Sequence, residues 1–160
     1  MPRGFIISGI TRASTGFPVT LRADGDNSLM GSNPNGVNTR SLDLPDYDGT
    51  GLKLNADVRS GLPYFNTAAY GDNAIGTFGN ASRRSFYGPG QLNFDLALLK
   101  SFTFTESRAL QFRLESFNTF NHAQFFGPAT VNGDVDSALF GHVVRANAPR
   151  LIQAAIKFTF

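Results

Sequence analysis

Polar and apolar residues alternate with period two in four stretches of this chain. The last is the plainest. From residue 150 to 160, Ile152, Ala154, Ile156, Phe158 and Phe160 fall on one side, and Leu151, Gln153, Ala155, Lys157 and Thr159 on the other. Alternation of this kind predicts a strand with unlike surroundings on its two faces; a helix would space its apolar residues about 3.6 apart. Residues 91–104 repeat the pattern, with Leu92, Phe94, Leu96, Leu98, Phe102 and Phe104 on the even positions. Lys100 interrupts that face, and near the strand's far end its long stem could carry the ammonium toward an interface. After the polar turn Thr105-Glu-Ser-Arg108, residues 109–117 return with Leu110, Phe112 and Leu114 opposite Gln111, Arg113 and Glu115, which predicts a hairpin. Residues 4–14 form a fourth strand whose faces are poorly separated.

Between the strands the pattern dissolves. Residues 22–90 hold Asp24-Gly25, Asn35-Gly36, Asp48-Gly49 and Gly88-Pro89-Gly90, all turn chemistry. A helical turn or short hairpin fits near residues 64–70, and a short extended piece near 139–144 within the second loop, 122–149. So long a stretch without periodicity counts against a compact soluble domain. Outer-membrane barrels tolerate it: their strands cross hydrocarbon in about ten residues, show apolar side chains to lipid, and carry long outer loops and short periplasmic turns. If the aromatic end of the last strand lies at the periplasmic rim, both long loops fall outside and the 105–108 turn inside. Four strands cannot close a barrel, for which about eight is the practical minimum. The expected fold is therefore all-β, an antiparallel transmembrane β-barrel segment that is incomplete on its own.

Composition changes this picture little. The 160 residues include 16 Phe, 17 Gly and no Trp or Cys, with only 16% charged, as strands and long turns require. A net charge of +2 gives no reason to expect nucleic acid as a partner. No run approaches the eighteen apolar residues of a membrane helix. The start, Met-Pro-Arg-Gly-Phe-Ile-Ile, lacks the form of a signal peptide, so an export signal is expected outside this sequence.

Catalytic patterns such as Gly-x-Ser-x-Gly, His-Glu-x-x-His and the P-loop are absent, so the chain does not read as an enzyme, and no cofactor is expected. His122 and His142 lack metal-ligand spacing. Asp43, Asp46 and Asp48 before Gly49 could hold Ca²⁺ in a loop, but the EF-hand spacing and its final Glu are missing, which favours a solvated turn. Asp95, Arg113, Glu115 and Lys157 share the polar sides of the strands. They are candidate lumen-facing residues near a substrate path, or a ladder of charges that holds register. In the first loop, Tyr64, Phe65, Arg83, Arg84, Phe86 and Tyr87 could meet anionic or sugar-like ligands through hydrogen bonds and stacking, or simply pack on their neighbours.

Several stretches together resemble a known family. They are Tyr64-Phe-Asn-Thr-Ala-Ala-Tyr70, Gly76-Thr-Phe-Gly-Asn-Ala81, Tyr87-Gly-Pro-Gly90 leading into Asn93-Phe-Asp-Leu-Ala-Leu98, Leu110-Gln-Phe-Arg-Leu-Glu115 with Phe117-Asn-Thr-Phe-Asn-His122, and Pro149-Arg-Leu-Ile-Gln153 onward. They are similar to the carboxy-terminal end of TonB-dependent outer-membrane receptors of the Oar-like kind. The resemblance implies the end of a large barrel in the bacterial outer membrane, from a family that imports nutrients or binds large ligands. It implies as partners outer-membrane lipid, the remaining barrel strands and a plug, the TonB complex acting through that plug, and the barrel-assembly machinery. That machinery would read the closing strand at Ile152, Ala154, Ile156, Phe158 and Phe160. The plug and amino-terminal domains are not in this sequence. Two rivals stay open: a self-standing soluble β-domain such as a carbohydrate-binding module, and a non-transporting structural or adhesin barrel.

Overall fold

The computed structural model describes residues 4–30 and 43–160; the Asn35-Gly36 turn lies outside them. The chain divides into a strand unit and a loop unit. In chain order the elements are β1 (Phe5–Ser14), β2 (Pro18–Val19), β3 (Asp46–Tyr47), a 3₁₀ turn (Thr67–Ala69), β4 (Tyr70–Gly71), β5 (Phe86–Tyr87), β6 (Gln91–Thr103), β7 (Ala109–Phe117) and β8 (Leu151–Thr159).

The strand unit is one antiparallel sheet in the order β1-β6-β7-β8, so each long strand lies beside the next long strand in the chain. The ladder runs from Phe5↔Lys100 to Ser14↔Gln91, from Leu96↔Ser116 to Thr103↔Ala109, and from Ala109↔Thr159 to Phe117↔Leu151. Directly opposed residues share a face. One row therefore reads Ile7, Leu98, Leu114, Ala154, and the next Phe5, Lys100, Phe112, Ile156. Both continue the apolar alternation across all four strands. Gly9 belongs to that face because a Cβ there would meet the Leu96 side chain and the Asp95 carbonyl. Lys100 is accommodated by its neighbours, with Nζ 4.3 Å from the centre of the Phe5 ring and 5.5 Å from that of Phe102. This cation–π geometry offsets part of the cost of a charge on an apolar face. Among the described residues no strand pairs with the outer edge of β1 or of β8, and the sheet is not closed.

Residues 118–124 leave the alternation because their side chains take over backbone pairing. Asn118 lies at φ 50°. Its side chain accepts from His122 N and donates to His122 O, both at 3.0 Å. Gln124 then serves Leu92 as a strand neighbour would, donating to its carbonyl at 2.5 Å and accepting from its N–H at 3.1 Å.

The loop unit combines residues 15–90 with 125–146. What lacked periodicity has a core of its own: Leu21, Phe65, Phe86 and Val131 are buried, with Val19, Tyr64, Tyr70, Phe140 and Val143 packed against them. Phe65 is the hub. Its ring lies 4.7 Å from Phe86, 5.3 Å from Phe140 and 5.7 Å from Tyr70, the last two edge-on, and pairs of this kind add about 0.5–1.5 kcal/mol beyond burial. The extended piece expected over 139–144 is instead a turn through Gly141, followed by a single bridge from Val143 to Val131. Ser137 starts that turn by accepting from Leu139 N at 3.2 Å and Phe140 N at 2.9 Å. Gly141, at φ 79°, lets the backbone sit against Pro63 and Thr67 where a Cβ would collide, and its carbonyl accepts from Tyr64 N at 2.8 Å.

Candidate functional site

Alternation on the strands brings the candidate lumen-facing residues to one side of the sheet. Asp95, Arg113, Glu115 and Lys157 all lie on the face opposite Leu98 and Ile156. Asp95 anchors one cluster there. It is buried, and its carboxylate accepts from Arg12 at 2.5 Å, Asn93 at 2.9 Å and the Asn118 backbone N–H at 2.9 Å. The next cluster sits further along β7, where Arg113 Nε stands 3.4 Å from Glu115 Oε1 and Gln153 of β8 donates to the same carboxylate. Lys157 lies opposite Gln111, which itself donates to Ser101 at 3.3 Å; no ion pair of Lys157 occurs among the described residues. Each carboxylate is thus tied across strands, as holding register requires. Sequence reasoning missed Arg12 and Asn118 as partners of Asp95. The parity of β1 already put Arg12 on the polar side, but only the β1–β6 register sets it near Asp95.

The residues of the proposed assembly signal occupy the other side. Ile152, Ala154, Ile156 and Phe158 lie opposite Ser116, Leu114, Phe112 and Leu110, all on strands with uncovered faces. Ile156 is 68% exposed and Phe158 53%, and the Phe160 ring stacks on Phe158 at 6.1 Å.

The candidate ligand-loop residues divide. Phe65 and Phe86 are buried at 3% and 6% in the loop core. Val131 and Phe140 of the second loop belong to the same cluster. Tyr64 is half-buried, with its hydroxyl 3.3 Å from the Tyr87 carbonyl, and burial raises its pKa. Arg83, Arg84 and Tyr87 remain exposed.

The aspartates before Gly49 are not clustered for a metal either. Asp43 is buried rather than solvated, and its carboxylate accepts from Ser28 N at 2.8 Å, Ser28 Oγ at 2.5 Å and Asn73 Nδ2 at 3.4 Å. Asp48 is exposed and accepts from Thr50 N at 2.8 Å; the Thr50 side chain first, and then that N–H, lower its pKa. Among the described residues no group of three or more acidic or histidine side chains is arranged to hold an ion.

A family model described as an outer membrane beta barrel domain matches residues 2–153. No curated protein and no solved structure matches the chain.

Proposed function

The chain belongs to a family of outer-membrane β-barrel domains, and on that premise we propose that it is the carboxy-terminal barrel portion of a TonB-dependent receptor of the Oar-like kind. It resides in the bacterial outer membrane, where the parent protein binds or imports a ligand without catalysing a reaction. The observation that carries this reading is the sheet itself. It has one apolar face left open across four strands, one polar face tied by side-chain bonds, and two edges unpaired among the described residues. In water such a surface is a liability; in a bilayer it is the required exterior. Unpaired edges in hydrocarbon cost on the order of several kcal/mol per backbone group, so the sheet calls for further strands on both sides. The stretches shared with TonB-dependent receptors support the finer assignment. On this reading Asp95, Arg113, Glu115 and Lys157 face the lumen, where a plug would sit. The closing strand is what the barrel-assembly machinery engages, and TonB acts through the plug.

Topology tests it. In the full-length protein, Cys introduced at Asp72 should react with a membrane-impermeant label on intact cells, and Cys at Ser107 should not. The reverse result would invert the barrel and defeat the assignment. Sequencing the DNA upstream of the Met1 codon separates a receptor from a structural or adhesin barrel: a plug with a TonB-contacting segment is expected, and a barrel without one rejects the receptor reading.

A further inference from the structure

The loop unit contains a cavity of about 460 Å³, walled by residues 17–20, Arg22, Gly88, 127–133 and 144–145. We propose that it binds a small amphiphilic anion, one carboxylate or phosphate head on an apolar body. The inference rests on the reading above, in which the loops are the outward, ligand-meeting part of the protein. It does not involve Arg83, Arg84 or Tyr87, the loop residues singled out by their sequence.

Size is the first argument, since small-molecule sites commonly measure about 300–1,000 Å³. The wall is the second. Val19, Val131 and Val144 line it, and Val131 belongs to the buried core, so part of the surface is apolar and fixed. Charge is the third. Two arginines line the cavity, Arg22 and Arg145. Arg22 pairs with two carboxylates, Nη2 3.3 Å from Asp134 Oδ2 and Nε 3.5 Å from Asp24 Oδ1, while that Nε is buried without a hydrogen-bond partner among the described residues. Arg145 is exposed and takes part in no ion pair or hydrogen bond among the described residues. It therefore brings an unpaired positive charge to a hollow whose lining is part polar and part apolar, and its planar fork suits carboxylate or phosphate oxygens.

The frame that carries Arg145 is held firmly. Val144 N donates to Thr130 O at 2.8 Å, Asn132 N to His142 O at 2.9 Å, and Thr130 Oγ1 to Gly127 O at 2.7 Å. On the same wall Ala129 adopts φ 56°, a left-handed conformation that a residue with a Cβ rarely takes. Such strain costs about 1–3 kcal/mol, persists only where surrounding structure enforces it, and gathers at ligand sites.

The test is a fluorescence titration of detergent-purified full-length protein with 1-naphthyl phosphate, with 1-naphthol as the neutral comparison. Saturable binding of the phosphate is expected, with 1-naphthol at least about tenfold weaker, the scale of one charge-assisted contact. Arg145→Gln should weaken the phosphate by a similar factor. Val144→Glu, which adds a carboxylate to the rim at an exposed position, should abolish binding, while Arg83→Gln should leave it unchanged. Equal binding of the two probes, an unaffected Arg145→Gln protein, or loss on Arg83→Gln alone would overturn the proposal. The titration needs neither TonB nor intact cells, so its failure leaves the labelling result standing. An inverted topology with binding retained would instead reject the receptor reading alone.

Discussion

The two units treat the same residue type in opposite ways. In the sheet, Phe112 and Phe158 stand 40% and 53% exposed; in the loops, Phe65 and Phe86 are buried among other rings. A water-soluble domain would do the reverse, covering the sheet and leaving loop side chains outside. The difference identifies two solvents. The sheet's apolar face suits a surrounding that is itself apolar, so it has no driving force to find a protein partner there. The loops must make a core from their own side chains, because water is the alternative. Polar groups follow the same division: Asp95 and Glu115 are tied across strands, whereas Asp43 is folded inward on Ser28 and Asn73.

The sharpest way to break this comparison is to truncate one ring in each unit of the full-length protein. Phe65→Ala should destabilise the loop unit by about 3–5 kcal/mol. Hydrogen exchange should report that loss as faster exchange over residues 15–90 and 125–146. Phe112→Ala should change little in a bilayer or detergent, because lipid fills the space. Equal losses would mean that the sheet face packs on protein.

Charge probes the same face more gently. Ile156→Asp should lower the yield of folded protein in the outer membrane, at a depth-dependent cost of about 3 kcal/mol or less. Gln153→Ala, on the polar side, removes only the bond to Glu115 and should cost about 1 kcal/mol. Heat-modifiable mobility on gels reads both, and indistinguishable yields would refute the assignment of the faces.

On the polar side, Asp95→Ala leaves the Asn118 N–H without its acceptor and Arg12 without its anion. A loss of about 1–3 kcal/mol is expected. Arg12→Ala should cost less, since the Asn93 and Asn118 bonds remain. Chemical denaturation of the refolded protein measures both, and the reverse order would remove Asp95 as the anchor.

The smallest effect belongs to the loops. Burial, and then the charge of Asp136, raise the pKa of Asp72. The fold therefore favours the protonated acid, and stability is lost as pH rises from the ordinary carboxylate range through the raised value. Asp72→Asn should gain about 0.5 kcal/mol or less at neutral pH, since solvent screens an exposed group. It should gain nothing at pH well below the ordinary value. A gain that persists in acid would show that charge is not the cause.

The antiparallel strands were legible in the chain because alternation is a local property. Each residue of β6, β7 and β8 reports its own face through period two, whatever its neighbour strand is. All-β class and outer-membrane location follow from that pattern and the placing of turns. Register was not legible in the same way. That Arg12 meets Asp95 depends on the β1–β6 ladder, which a long connection closes and no local signal specifies. The loop core lay further still from view. Leu21, Phe65, Phe86 and Val131 have no shared period and come from far apart in the chain, and Phe65 looks the same in sequence whether it waits for a ligand or anchors a core. Only the tertiary fold decides between those fates, because burial is set by which segments arrive to exclude water, and here the 125–146 segment does so.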